Sequence, residues 1–417
     1  MTLDMDKWQQ TARFAGGRKT RTLLPDPEPR TRSYTIFSVD DHVVEPPSTF
    51  EGRIPQQYIA RAPRVIDLES GGQAWLYDEK VLPQVGLSAV AGRPIEEMSY
   101  DPTRFDEMRR GTWDVRERIR DMDLNGIYAS VNFPSHLAGF AGGRLQLTTS
   151  DADLAFAVFQ AYNDWHLEEW CATEPDRLIP VQLPWLLDPE RGAAEIRRNA
   201  ERGFRAVTFP EAPHHLGLPS IYSGHWDPIL QACAETETVV CLHVGSGGAL
   251  PSTAPGAPSD VTSILFGLSA LQTAVDFLYS LIPVRFPTIK ICLSEGGIGW
   301  VSGLIDRLEH AGKYSDLFGT WTGCDVKPAE ALRRNFWFCA LDDPSSFSQV
   351  DVIGPTKILV EVDYPHMDTS WPDSQNLFRR SFAGLSEDTI EMITWKNASE
   401  LFGVEIPLAV RIDPNCF

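Results

Sequence analysis

The stretch YTIFSVDDHVVE, residues 34–45, joins a short apolar run directly to potential metal ligands. The run 34–39 has the β-branched and aromatic composition of a strand. Asp40 and His42 follow it, and because side chains alternate along a strand, these two share a face and could chelate one ion. Glu45 comes three residues later and is a further candidate. The stretch therefore predicts a strand whose carboxyl end carries a metal site.

Seven more apolar runs of this kind follow, separated by patterns typical of helices. The predicted strands lie at residues 34–39, 127–132, 178–183, 205–209, 238–242, 289–293, 336–341 and 357–362. The predicted helices lie at residues 105–124, 151–174, 188–203, 226–236, 262–283, 299–312, 328–333 and 386–402. Eight strands that alternate with helices predict a parallel (β/α)8 TIM barrel rather than a doubly wound sheet. In such a barrel the carboxyl ends of all strands surround one site, so residues far apart in sequence can meet there.

The TIM-barrel domain is expected to occupy residues 34–410, and three other segments stand out. Residues 1–33 are predicted to form an N-terminal arm, either loose or packed on a partner. Residues 46–104 are rich in Pro and Gly and form an insertion after strand one, which could be a small hairpin that acts as a lid over the barrel mouth. Residues 244–261 form a loop after strand five that is typical of an active-site lid. Surface decoration is the alternative for the insertion and the loop.

The composition excludes several classes of function. A net charge of −20 argues against nucleic acid and anionic membranes as partners. The seven cysteines are scattered without a CxxC pair, which indicates a reducing compartment. The sequence has neither a signal-peptide pattern nor an apolar run long enough to cross a membrane. We therefore expect a cytoplasmic protein.

Further potential ligands follow later strands. His243, Glu295 and Asp363 come at the ends of strands five, six and eight, His366 follows Asp363 by three residues, and Glu211 is a weaker candidate after strand four. Each has another explanation, because an acid after a strand is often a helix cap or turn residue. Their common position at strand ends nevertheless favours a site for a divalent transition ion.

The chain resembles the amidohydrolase superfamily, in the amidohydrolase-2 branch that includes aminocarboxymuconate-semialdehyde decarboxylase. The resemblance covers residues 34–402, and its motifs are DDHVVEPPSTF, GFRAVTFPE, GLPS with HWDP, CLHVGS, CLSEGGIGW, VDYPH and NASELFGV. It implies that Asp40, His42, His243 and Asp363 are metal ligands. Many members carry His or Glu at the position of Asp40, and a carboxylate there still ligates.

The chain departs from this resemblance at Glu295, where the decarboxylases of the branch carry a His. An ionised Glu only accepts hydrogen bonds and would repel a carboxylate substrate, but it could hold a second cation. The full set of candidate ligands would overfill one divalent ion, and two ions relieve the imbalance. That set is Asp40, His42, Glu45, His243, Glu295, Asp363 and His366. Some relatives with such a site are dinuclear non-heme monooxygenases, and the resemblance therefore implies Glu295 and His366 as catalytic residues.

Three functions follow as hypotheses. The first is a dinuclear iron monooxygenase, with manganese as the other candidate metal, that hydroxylates a small or apolar metabolite with O2 and draws on an electron donor. The alternative is a mononuclear decarboxylase or hydrolase that uses one zinc or manganese ion to cleave a C–C or C–N bond without oxygen. The third, a non-catalytic subunit, conflicts with the complete ligand set. A small-molecule substrate and a homodimer or higher oligomer are expected in each enzyme.

Overall fold

Nine parallel segments form one closed sheet in the computed structural model, which describes residues 2–4, 21–101 and 103–415, with only the backbone of 2–4 and 315–316. Leu178–Ile179 and Val181–Gln182 are two halves of one strand. Pro180 separates them because it has no N–H to donate. The first half pairs with the preceding strand and the second with the following one. Eight strands therefore close into a TIM barrel, as predicted.

We number the barrel strands β1 to β8 in chain order. They are β1 (Ile36–Val43), β2 (Ile127–Pro134), β3 (Leu178–Ile179 with Val181–Gln182), β4 (Ala206–Thr208), β5 (Val239–His243), β6 (Ile291–Ser294), β7 (Phe336–Ala340) and β8 (Ile358–Val360). Their order around the barrel follows the sequence, and β8 returns to β1 through the pairing of Val360 with Ser38. Each predicted strand is present, with bounds that differ by a few residues.

The helices differ from the predicted ranges in several places. The range 151–174 is α-helical only to Trp165, and 386–402 is divided between two α-helices. The range 105–124 is helical only from Val115, because Asp114 caps that helix by accepting hydrogen bonds from the Arg116 and Glu117 N–H groups. The range 262–283 is divided among three helices. The α-helices are Val115–Asn125, Gly143–Leu147, Ala152–Trp165, Pro189–Arg202, Asp227–Glu235, Asp260–Ile264, Phe266–Tyr279, Ile282–Arg285, Val301–Gly312, Ser315–Phe318, Pro328–Asn335, Val350–Ile353, Ser374–Ser381, Glu387–Glu391, Asn397–Phe402 and Leu408–Ile412.

A bulge in β1 sets the direction of its functional side chains. Ser38 pairs with Ser130 of β2 and Asp41 with Asn132, so β1 has one residue more than β2 between these pairs. Val39 lies in the apolar cluster inside the barrel. Strict alternation would then turn Asp40 outward, but the extra residue directs it inward as well, where it meets the ring of His243. Because of the bulge, β1 contributes side chains both to the apolar core inside the barrel and to the candidate metal site.

Two apolar cores lie on either side of the barrel wall. The larger one packs the outer faces of the strands against the surrounding helices. The smaller one fills the barrel and extends to the helices Asn397–Phe402 and Leu408–Ile412. Phe37, near the start of β1, stacks on Phe402 with ring centroids 5.8 Å apart. These helices close the amino end of the barrel, so the carboxyl end is left for the site.

The insertion after β1 forms a small three-stranded antiparallel sheet. Its strands are Arg64–Asp67, Gln73–Tyr77 and Lys80–Pro83. Trp75 in the middle strand is fully buried and makes an edge contact with Phe50. The residues of the third strand reach the cavity above the metal ligands. The insertion therefore provides part of the wall of that cavity.

The N-terminal arm packs on its own chain where it is described. Arg21 donates a hydrogen bond of 2.8 Å to the Asp101 carbonyl, and Arg30 pairs with Asp373 at 2.8 Å. The backbone of Thr2–Asp4 pairs antiparallel with Ala249–Pro251 of the loop after β5. Residues 5–20 of the predicted arm lie outside the described residues. Among the helices of the described part, none is both long and apolar enough to span a membrane.

Candidate metal centre

The Nε2 atom of His42 is the point on which three other side chains converge. Asp40 Oδ1 and Asp363 Oδ1 each lie 3.3 Å from it, and His243 Nε2 lies 3.0 Å from it. His243 Nε2 is also 3.3 Å from Asp40 Oδ2. All four side chains are fully buried. Residues from β1, β5 and the end of β8 therefore form one compact cluster.

The spacing of these atoms is that of ligands around an ion. Metal–ligand bonds of about 2.1 Å place neighbouring ligand atoms about 3.0–3.4 Å apart in octahedral or tetrahedral geometry. The oxygens of Asp40 and Asp363 are buried and have no hydrogen-bond partner, although nitrogens lie close to them. Buried acceptors are ordinarily satisfied, so oxygens left without a donor point to a cation that would fill this role. A divalent ion fits the donor set.

Neighbouring groups hold the ligands in the required orientation. His243 Nδ1 lies 2.7 Å from the Val244 carbonyl oxygen, a contact that keeps the proton on Nδ1 and leaves Nε2 as a donor for metal. The carbonyl of His42 accepts a hydrogen bond from the buried Arg118. Asp363 has a positive φ of 53°, which is uncommon for a residue with a side chain and recurs at functional sites.

Buried carboxylates surround the cluster and make it strongly negative. Burial raises the pKa of Asp40 well above its usual range, and repulsion from Glu361, Asp363 and Glu295 raises it further. Burial likewise raises the pKa of Glu361. A divalent cation among these groups would lower their proton affinity and stabilise the ionised forms. The electrostatics therefore favour metal binding.

Glu45, which the sequence predicts as a ligand, belongs to neither group of converging potential ligands among the described residues. It is fully buried, but its two carboxylate oxygens accept hydrogen bonds of 3.1 Å from the backbone N–H groups of His136 and Ala138. These bonds fix the loop after β2. We therefore assign Glu45 to anchoring this loop rather than to metal binding.

Glu295 stands beside the cluster rather than in it. Its Oε2 lies 3.6 Å from His243 Nδ1, the nitrogen turned away from His42. Its backbone N–H donates to Glu361 Oε2 over 3.1 Å, and its φ is 59°. Burial raises the pKa of Glu295 well above its usual range, and repulsion from Asp363, Asp368 and Glu361 adds to the effect. Since Glu295 also lines the cavity, it can face a bound molecule.

His366 contacts the cluster from one side. Its ring stacks on that of His42, with centroids 3.6 Å apart, and its Nδ1 lies 3.1 Å from Asp363 Oδ1. Ser135 Oγ lies 3.2 Å from its Nε2. His366 is therefore close enough to Asp363 to orient its carboxylate or to join it as a ligand. Burial lowers the pKa of His366 to about 4, which keeps the ring neutral at physiological pH.

Two further residues of the site escaped the sequence analysis. Glu361 precedes Asp363 by two residues, which is the spacing at which side chains of a strand share a face. This spacing could have identified Glu361 from the sequence. His136 follows β2 just as the other candidates follow their strands. It is buried, lines the cavity, and neither ring nitrogen has a partner among the described residues. Burial lowers the pKa of His136 to about 3, so the ring is neutral.

Glu211 fastens the loop that follows β5. It is buried and accepts hydrogen bonds from the Gly245 N–H at 2.7 Å and the Ser269 hydroxyl at 2.9 Å. Its own N–H donates to Ser246 Oγ over 3.0 Å. Glu211 thus ties the end of β4 to the loop and to the helix Phe266–Tyr279. It supports the cavity wall without being part of the cluster.

Replacing Glu211 by Gln should change how stability depends on pH. Burial raises the pKa of Glu211 from 4.5 to about 7, so the folded state binds this proton more tightly than the unfolded state. The stabilisation is complete below about pH 4.5 and is lost as the pH rises through about 7, with a total on the order of 3 kcal/mol. In urea unfolding across this window, the wild type should lose stability relative to E211Q. The exposed Glu201→Gln serves as control, and parallel curves for wild type and E211Q would contradict the assignment.

Asp363 is the residue of the cluster that lines a cavity of about 770 Å³, and the cavity therefore lies next to the cluster. Glu295, Asp363 and His366 line it, together with His136 and Arg144 from the segment after β2. Arg144 donates to the His136 carbonyl over 3.1 Å, which holds the guanidinium at the wall. The cavity therefore combines a metal site with a positive side chain.

Comparisons with known proteins agree with this architecture. A family model described as amidohydrolase matches residues 73–404. An amidohydrolase structure from Mycobacterium avium subsp. paratuberculosis K-10 is 23% identical, with a TM-score of 0.69 over 89% of this chain and 100% of that one. No curated protein sequence matches the chain.

Two similar solved structures are decarboxylases. 5-Carboxyvanillate decarboxylase from Sphingomonas paucimobilis is 22% identical, with a TM-score of 0.59 over 71% of this chain and 85% of that one. Dihydroxybenzoic acid decarboxylase from Polaromonas sp. JS666, solved with manganese and the inhibitor 2-nitroresorcinol, is 17% identical, with a TM-score of 0.58 over 90% and 98%. At these identities the similarity establishes the fold.

Proposed function

The chain belongs to the amidohydrolase family, and from this premise we propose that it is a decarboxylase that uses one divalent metal ion, with manganese favoured. The observation that carries the proposal is the convergence of Asp40, His243 and Asp363 on a single nitrogen of His42. The decarboxylases with the same fold, one of them containing manganese, support the reaction and the metal.

The dinuclear iron monooxygenase expected from the sequence is not supported. Two groups of three potential ligands lie close together in the described residues, Asp40–His42–His243 and His42–Asp363–His366, but they share His42. An imidazole nitrogen ligates one ion, and both groups use the same Nε2. Glu45, counted among the anions that called for a second ion, bonds to backbone instead. Glu45 therefore does not contribute to the argument for a second ion.

The reaction replaces a carboxylate group by hydrogen. The bond between the carboxylate carbon and the substrate carbon breaks, its electron pair stays on the substrate carbon, and a proton replaces the departing CO2. A bound divalent ion supplies positive charge that stabilises negative charge on substrate oxygens. The side chains of the cavity must then bind the acid, exclude water and deliver the proton.

Glu295 is the residue that we assign to proton delivery. Burial raises the pKa of Glu295, and its carboxyl group lines the cavity beside the cluster, where it can carry the proton that replaces CO2. In its protonated form Glu295 carries no charge and does not repel a carboxylate substrate. Arg144 provides a cation for the substrate carboxylate, and neutral His136 offers a hydrogen bond to a neighbouring polar group.

Metal content and oxygen dependence test this proposal directly. Natively purified protein should contain about one divalent ion per chain, and removal with a chelator should abolish activity that manganese restores. Decarboxylation of a panel of aromatic and aliphatic acids should proceed under anaerobic conditions, with CO2 as the measured product. Two iron ions per chain and O2 consumption would instead establish the oxygenase.

A further inference from the structure

The cavity above the metal centre is larger than a simple acid requires. Its volume of about 770 Å³ lies in the range that holds drug-sized ligands. Polar side chains line the cavity at the metal ligands and at other points such as Ser88, Thr148 and Ser263. Apolar wall comes from Val81 and Leu82 of the insertion and from Leu250 and Phe266 after β5. The cavity thus combines polar groups beside the metal ligands with a partly apolar wall.

A second cavity of about 630 Å³ adjoins the first. Leu87 and Met367 line both cavities and form the partition between them. The wall of the second cavity includes Val90, Met98 and Trp371. The Trp371 indole N–H donates to the Asp121 carbonyl over 3.1 Å, so its polar atom is satisfied and the ring offers an apolar face.

The partition lies next to the metal centre and can adapt. Met367 follows His366 directly in the sequence. A molecule bound at the metal centre could therefore contact the partition. A methionine side chain is unbranched and flexible, and it adjusts to fill or open irregular space. Leu87 belongs to the short 3-10 turn Gly86–Ala89 of the insertion.

We propose that the substrate is an amphipathic carboxylic acid, whose carboxylate lies at the metal end and whose apolar part extends past Leu87 and Met367 into the second cavity. This inference rests on the proposed decarboxylase function. It assigns the second cavity to the apolar part of the same molecule. A short or single-ring acid would leave this space unused.

Straight-chain carboxylic acids from butanoic to decanoic acid provide the probe. Their affinities for the manganese-loaded protein are measured by titration calorimetry. Affinity should rise about three- to fourfold for each added methylene that is buried, until the second cavity is filled. Affinities that do not depend on chain length would overturn the inference.

Variants of residues that line the second cavity test where the alkyl chain of the acid binds. Met98→Trp should fill the second cavity, so the gain with chain length should stop at shorter acids, while butanoic acid binds as in the wild type. Met367→Trp should have the same effect by blocking the partition. The matched control is Leu408→Trp, because Leu408 is exposed and lines neither cavity. An unchanged chain-length profile in both cavity variants would contradict the assignment.

The same titrations separate this inference from the proposed function. Manganese-dependent binding of butanoic acid without any gain from longer chains would leave the decarboxylase proposal intact and reject the second cavity as a tail site. Absence of binding by every acid, or binding that does not require manganese, would reject the metal-bound acid and with it the inference.

Discussion

Replacing Asp363 by Asn is expected to abolish manganese binding at micromolar metal and, with it, catalysis. The substitution preserves size but removes the negative charge from an oxygen 3.3 Å from His42 Nε2. Loss of a neighbour that merely orients a ligand typically costs 10–100-fold in metal affinity, and we expect loss of a ligand charge to cost more, about 1,000-fold. Titration calorimetry with manganese measures the change.

The stability of the metal-free variant provides an independent check. Asp363 contributes to the repulsion that raises the pKa of Asp40, so D363N without metal should be at least as stable as the metal-free wild type. Manganese at 100 times its Kd should stabilise the wild type by about 2.7 kcal/mol and the variant much less. Thermal unfolding with and without metal shows both effects.

Asp368→Asn is the matched control for D363N. Asp368 lines the same cavity and repels Glu295, but it does not belong to either group of converging ligands. It should retain manganese binding. If D363N and D368N bound manganese equally well, the assignment of Asp363 as a ligand would be wrong.

Replacing Glu295 by Gln should lower kcat by about 10²–10⁴-fold, the usual contribution of a general acid, while manganese is retained. The metal remains because Glu295 contacts Nδ1 of His243, whereas Nε2 faces the cluster. Metal analysis and decarboxylation rates of the same preparation measure the two properties together. When the wild-type decarboxylation is run in D2O, the product should carry one deuterium on the carbon that loses CO2.

The pH profile distinguishes proton delivery from a structural role. Because burial raises the pKa of Glu295, wild-type activity should fall on the alkaline side as this proton is lost, and E295Q should lack that limb. Asp343→Asn, a change at a largely buried acid outside the cavity, should keep the wild-type profile. Loss of manganese from E295Q would instead make Glu295 a ligand and reopen the question of a second ion.

Local sequence patterns were sufficient to predict the barrel and to predict which strands end in potential ligands. The helix Pro189–Arg202 shows why: Asp188 caps its start, Pro189 occupies its first turn, and Gly203 ends it with a left-handed φ of 109°. Each of these signals depends only on neighbouring residues. Alternation within β5 similarly placed His243 on the inner face with Cys241, since period-two geometry is also local.

The sequence by itself determined the order of strands and the residue types at their carboxyl ends, and it thereby pointed to a candidate metal site. Only the tertiary structure decided that Asp40 turns inward through the bulge, that Glu45 bonds to the loop after β2, and that Glu295 faces the outer nitrogen of His243. Counting carboxylates could not separate a ligand from an anchor, because that distinction depends on which partners other strands and loops bring within about 3 Å. Periodicity is a property of neighbouring residues, whereas the number of ions depends on distances across the barrel.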